Sequence, residues 1–310
     1  MMILLLILVL DSATVSHIAV APHESLTVRA LQVSRPLADG DRVPIVLLPG
    51  LLGGTFGYRK VTPDIEAEGH STYVIEPLGV GSSSHPDGGD YSLDAQADRI
   101  AAVLDTFDVT SAIIVGSNFG ASVALRVAYR HPERVAAVLL LDGGPVDRSS
   151  TGGASIALRL APLLRFFGGR GMARHRIADA LREYSADPSW VTDDVVEAYS
   201  RPIVNNIGGA ARVLSAMRRA PVNTPLAELL SQIRQPVRLL IGAANRRGGI
   251  ESGETELLRA RLPDFAADSV ANSGVYVHEE HPEVVVRAIL SLTENIRHPV
   301  AVSAVVADPR

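Results

Sequence analysis

The chain has 310 residues, 47% hydrophobic and 20% charged, enough apolar material for one large domain with an insertion. A formal net charge of −5, with no block of five or more like charges, argues against nucleic acid as a partner. The absence of cysteine excludes disulfides, thiolate metal sites and a cysteine nucleophile.

Met1–Leu10 is almost wholly aliphatic. Followed by Ala19-Val20-Ala21, residues 1–21 have the outline of an export signal. No Lys or Arg precedes the run, Asp11 interrupts it, and it is about half the ~20 residues that cross a bilayer. The expectation is an extra N-terminal strand or a mis-set start in a cytoplasmic protein, with export as the alternative and no stable membrane span. Val15–Ala21 and Leu26–Val33 alternate around Pro22-His23-Glu24 and read as an antiparallel hairpin. Ile45–Leu48, Thr72–Ile75, Ala112–Val115, Val138–Leu141 and Val237–Ile241 are short apolar runs of the kind buried on both faces of a parallel sheet. Leu93–Phe107 and Ala121–Tyr129 are helical between them, so the predicted class is α/β with helices on both faces of the sheet.

Between Val146 and Ile233 short strands vanish and helical segments follow, among them Ser155–Phe167, Met172–Tyr184 and Asp193–Tyr199. This predicts a core of residues 13–145 and 234–298, a helical cap over residues 146–233, and a loose tail at 299–310. Arg159, Arg165 and Arg176 in the cap stand either over an anionic ligand or on a solvated face, the second being the ordinary case. Trp190 and Tyr184 read as packing between cap helices.

Ile113-Ile114-Val115-Gly116-Ser117-Asn118-Phe119-Gly120-Ala121 carries the most information. A strand, a small-x-x-x-small turn and a helix form the shape of a G-x-S-x-G nucleophile elbow, whose central residue needs small neighbours. Gly116 and Gly120 fill the small positions, and the centre is Asn118 rather than serine.

With this elbow, Leu47-Leu48-Pro49-Gly50, Glu76-Pro77-Leu78-Gly79-Val80-Gly81-Ser82-Ser83 and Tyr129-Arg130-His131-Pro132-Glu133-Arg134-Val135 follow in order, and the chain resembles the α/β-hydrolase fold superfamily. That resemblance places the family's acid at Asn245, in Gly242-Ala243-Ala244-Asn245-Arg246. It places the histidine at Val275, in Gly274-Val275-Tyr276-Val277-His278-Glu279-Glu280-His281-Pro282-Glu283. All three triad positions therefore lack their chemistry, as expected of a pseudo-hydrolase. Backbone donors around Gly50, Leu51 and Phe119 would persist as an oxyanion hole, with Tyr276 and His278 near the pocket. Ser117 is expected to pack behind the elbow. Asp142, at the end of a strand where some family members place an acid, is either structural or a substitute acid. His278-Glu279-Glu280-His281 lacks the H-E-x-x-H order, so no metal is expected there.

The site is thus expected to need no cofactor and to take a small molecule. Three readings stay open. One is a non-hydrolytic cyclase, lyase or isomerase acting on a carbonyl compound through Asn118. Another is an inactive ligand-binding protein. The third is an ester or epoxide hydrolase rearranged around Asp142 or His278.

Overall fold

In a computed structural model the chain is described for residues 12–33, 42–147, 170–244 and 248–297. Thr14–Ala21 (β1) and Glu24–Leu31 (β2) form the hairpin expected from their alternation, and β1 keeps its outer face exposed. Ile45–Leu48 (β3) and Thr72–Ile75 (β4) are buried at every residue. So is Ala112–Ser117 (β5), while Val135–Leu141 (β6) and Val237–Gly242 (β7) are buried almost throughout. Such runs fit a sheet covered on both sides. Phe265–Val270 (β8) was not anticipated; its residues are mostly exposed or half-buried because it forms the sheet's edge.

The eight strands lie in the order β1-β2-β4-β3-β5-β6-β7-β8. The β1–β2 and β2–β4 pairs are antiparallel, and all others are parallel. Leu93–Thr106 (α2) follows Thr62–Ala67 (α1); Ser92 caps α2 by accepting the Ala95 N–H. Phe119–Arg130 (α3) buries Val123, Leu125 and Val127 completely, each worth roughly 1.5–3 kcal/mol of apolar transfer.

Between β6 and β7 the described chain is helical: Arg170–Glu183 (α4), Asp193–Asn205 (α5) and Ile207–Arg219 (α6). The expected helix Ser155–Phe167, with Arg159 and Arg165, lies outside the described residues, as do residues 1–11 and the tail from 298. Ser252–Arg261 (α7) and Pro282–Arg297 (α8) are the longer helices after β7. No helix among the described residues is long and apolar enough to cross a membrane.

Candidate active site

β5 ends at Ser117 and α3 begins at Phe119, so Asn118 alone makes the turn, at φ 51° and ψ −115°. A side chain at positive φ outside the left-handed helical well is strained by roughly 1–3 kcal/mol and persists only where its surroundings impose it. Here they do. A Cβ on Gly116 would strike the Gly120 carbonyl, and a Cβ on Gly120 would strike that of Leu48. The two glycines let α3 start directly against β3 and β5, with Asn118 projecting at the apex. Helix α3 accordingly has no side-chain cap.

Asn118 lines a small cavity with Gly50, Leu51, Ser117, Tyr58, Tyr276 and His278, among others, and its volume is about 30 Å³. The N–H groups of Leu51 and Phe119 make no hydrogen bond to a described residue. For Phe119 this follows from its place at the first position of a helix. Gly50 differs from the expectation, because its N–H donates to the Ser117 hydroxyl at 3.1 Å and is not available to a ligand. Ser117 differs too. It lies at the cavity rather than behind the elbow, and its oxygen fastens the loop after β3 to the end of β5.

Asp142, at φ 43° after β6, is buried. Its Oδ1 accepts the Ile250 N–H at 2.9 Å and its Oδ2 accepts the Gly242 N–H at 3.1 Å. Both oxygens therefore brace the turn after β7. Asn245 belongs to that turn but lies outside the described residues. Val275 is fully buried beside Trp190, Tyr199 and Tyr276, its N–H held by the Tyr184 carbonyl at 2.9 Å. The Glu280 carboxylate accepts N–H groups from Gly274, Ala186 and Asp187 at 2.6, 2.7 and 2.8 Å, which fixes this loop. Arg176 is exposed on α4.

His278 is the imidazole that faces the cavity. Its ring lies 5.2 Å from that of Tyr58 and 6.3 Å from that of Tyr276. Burial moves its pKa down to about 4, against the raising effect of Glu279 and with Arg59 and Lys60 adding to the lowering, so it is neutral at physiological pH. His278 Nδ1, the Tyr276 hydroxyl and Asn118 Oδ1 are all shielded from solvent and meet no hydrogen-bond partner among the described residues. Three polar atoms around one cavity thus keep their hydrogen-bonding capacity unspent within the described protein. Burial raises the Tyr58 and Tyr276 hydroxyls well above the ordinary tyrosine range, so both remain protonated. His281, in contrast, bonds Asn272 and Glu283 at the surface, and no described cluster of three His, Asp or Glu is placed to hold a metal ion.

Two carboxylates that sequence reasoning did not single out position the site. Glu76 is buried and accepts the Thr55 N–H at 2.7 Å and the Ser82 N–H at 2.6 Å. Gly54 and Gly81, both at positive φ, leave it room, since a Cβ on either would meet the carboxylate. It thus clamps the loop after β3 to the loop after β4. Glu279 has a fully buried side chain that takes Arg59 at 2.5 Å, Lys60 at 3.4 Å and the Tyr199 hydroxyl at 2.6 Å. The acidic start of the resembling Glu76 loop was a signal for the first. Nothing in spacing marks the second, whose partners are 80 and 220 residues away.

Comparison with known proteins agrees with this geometry. The family model described as "alpha/beta hydrolase fold" matches residues 43–187. A relative named "Uncharacterized hydrolase YugF", from Bacillus subtilis, is 24% identical over 86% of this chain and 96% of its own length. A 2-hydroxymuconate semialdehyde hydrolase from a Pseudomonas species is 26% identical over 60% of this chain and 69% of its own. Among solved structures, Cfl2 from Burkholderia cenocepacia superposes with a TM-score of 0.73 at 22% identity, covering 90% of this chain and 95% of that one. The strand order, the elbow and these matches together establish that the chain has the α/β-hydrolase fold.

Proposed function

We propose that the chain is an enzyme acting on a small carbonyl compound without a covalent intermediate, of the cyclase, lyase or isomerase kind, beneath a helical cap formed by residues 146–233. The observation that carries this reading is the neutral, unpartnered His278 on the same cavity as Asn118. It supplies a general base, which a mere binding protein would not need. The Phe119 and Leu51 N–H groups polarise the carbonyl, the Asn118 amide adds a donor, and His278 takes the proton released. At a pKa of about 4 the imidazole is fully available as free base at pH 7 but only weakly basic. It therefore suits a proton already acidified by the oxyanion donors. No cofactor is invoked.

A second reading is direct hydrolysis, with water rather than a side chain as nucleophile. Two observations favour it: the relatives are named hydrolases, and about 30 Å³ accommodates a water between His278 and Asn118.

The test is turnover of a panel of esters, lactones and β-dicarbonyl compounds by the purified chain, with Asn118→Ala and His278→Gln. Each variant should lose about 10²-fold or more of kcat. Products formed in H2¹⁸O separate the readings: label incorporation means hydrolysis, and its absence means rearrangement or elimination. No turnover of any compound, or variants as active as the parent, would overturn both.

A further inference from the structure

A cleft of about 590 Å³ lies away from Asn118, between the loop at 85–91 and helix α6. Its volume is that of a site for a small organic ligand, roughly 300–1,000 Å³. Arg212 and Arg219 lie seven residues apart on α6, hence on one face of the helix, with Ser215 between them. Arg212 folds back over the first turn of α6, within reach of Gly208, and pairs with the exposed Asp87 at 2.9 Å. Arg219 meets no partner among the described residues. Across the cleft, burial and then Arg212 lower the pKa of His85, so it adds no charge at neutral pH. Two guanidiniums against one carboxylate leave the lining with a net positive charge, on a protein whose formal charge is −5.

The cleft is also not isolated. His85 is shared with a narrow space of about 30 Å³ beneath α5 and α6, and Leu51 is shared between that space and the Asn118 cavity.

We infer that this cleft binds a small anionic amphiphile, its carboxylate or phosphate held by Arg212 and Arg219 and its apolar part lying along α6. As the far end of a substrate, the ligand would reach towards the elbow past His85 and Leu51. That part of the inference rests on the elbow acting on a carbonyl compound; the binding itself does not.

The experiment is calorimetric titration of the full chain with octanoate and octyl phosphate, and with octanol as the neutral counterpart. Both anions should bind saturably at one site and at least tenfold more tightly than octanol. Arg212→Ala/Arg219→Ala should weaken them tenfold or more, and Ser215→Trp, which fills the cleft from a half-exposed position, should abolish binding with an unchanged melting temperature. Failure of both anions to bind, equal binding of octanol, or binding indifferent to these substitutions overturns the inference. Because no turnover is measured, such a failure leaves the proposed activity at Asn118 standing, and a silent elbow leaves the cleft standing. Equal weakening of octanoate and octyl phosphate is expected if charge alone is read; selective loss of one identifies which headgroup the arginines hold.

Discussion

The His278 imidazole lies 5.2 Å from the Tyr58 ring at an interplanar angle of 34°, pressed into a pocket that leaves it neutral. The stacking contributes apolar contact, and it removes the ring from water. Protonating it would bury a cation, which is the main cost, beside Arg59 and Lys60 and with Glu279 acting in its favour.

This has a consequence for acid stability. An unfolded histidine titrates near 6.5, whereas His278 titrates near 4 in the fold. Between those values the unfolded chain binds the additional proton, so stability falls as pH is lowered from 6.5 towards 4. The loss should amount to about 3 kcal/mol. His70, also lowered by burial, acts in the same direction. Comparing urea unfolding of the parent and His278→Gln at pH 7 and pH 4.5 isolates the His278 share; the variant should be the less pH-sensitive of the two.

Asp142 separates a structural carboxylate from a catalytic one. Its two oxygens hold the Ile250 and Gly242 N–H groups, and an amide can present only one acceptor. Asp142→Asn should therefore cost about 1–3 kcal/mol in denaturant unfolding. Turnover per folded molecule should stay near the parental value. A variant as stable as the parent yet inactive would assign Asp142 to the chemistry instead.

The elbow makes a steric prediction. Gly120→Ala drives a methyl group into the Leu48 carbonyl, at the contact that lets α3 begin beside β3. It should cost more than about 3 kcal/mol or prevent folding, as insertion into a close-packed site does. Gly253→Ala is the control. A Cβ there meets nothing within 4 Å in helix α7, so that variant should gain up to about 1 kcal/mol. Melting temperatures of the two should move in opposite directions.

Glu76→Gln should loosen the loop carrying the Leu51 donor. It leaves one of the Thr55 and Ser82 N–H groups without a good acceptor, at a cost of about 1–3 kcal/mol. If Leu51 contributes to the oxyanion hole, kcat should fall while KM changes little. An unchanged kcat would remove the loop from the mechanism.

The elbow was legible in the sequence because its shape depends on glycines at a fixed spacing, and only Gly fits where Gly116 and Gly120 meet backbone. The buried strands were legible from their continuous apolar runs. Strand β8 was not, since Phe-Ala-Ala-Asp-Ser-Val at a sheet edge has little apolar pattern to show. Helix α6, opening with Ile-Gly-Gly, also escaped notice because two glycines argue against a helix until Asn206 caps it. At the site, the replaced residues Asn118 and Val275 could be read from motif position. His278 could also be placed near the pocket from its motif, but its enclosure could not, because it depends on Tyr58 packing against it from a distant segment. The bond between Ser117 and Gly50 was not legible for the same reason: the two are 67 residues apart.

Tyr199 joins two things that are otherwise separate. From α5 it lies across Gly53, where a Cβ would collide with its ring, and its hydroxyl donates to the buried Glu279 next to His278. A displacement of α5 would withdraw this donor from a carboxylate whose other partners among the described residues are Arg59 and Lys60. One side chain thus ties the position of α5 to the charge environment of His278, because Glu279 is among the charges acting on that imidazole.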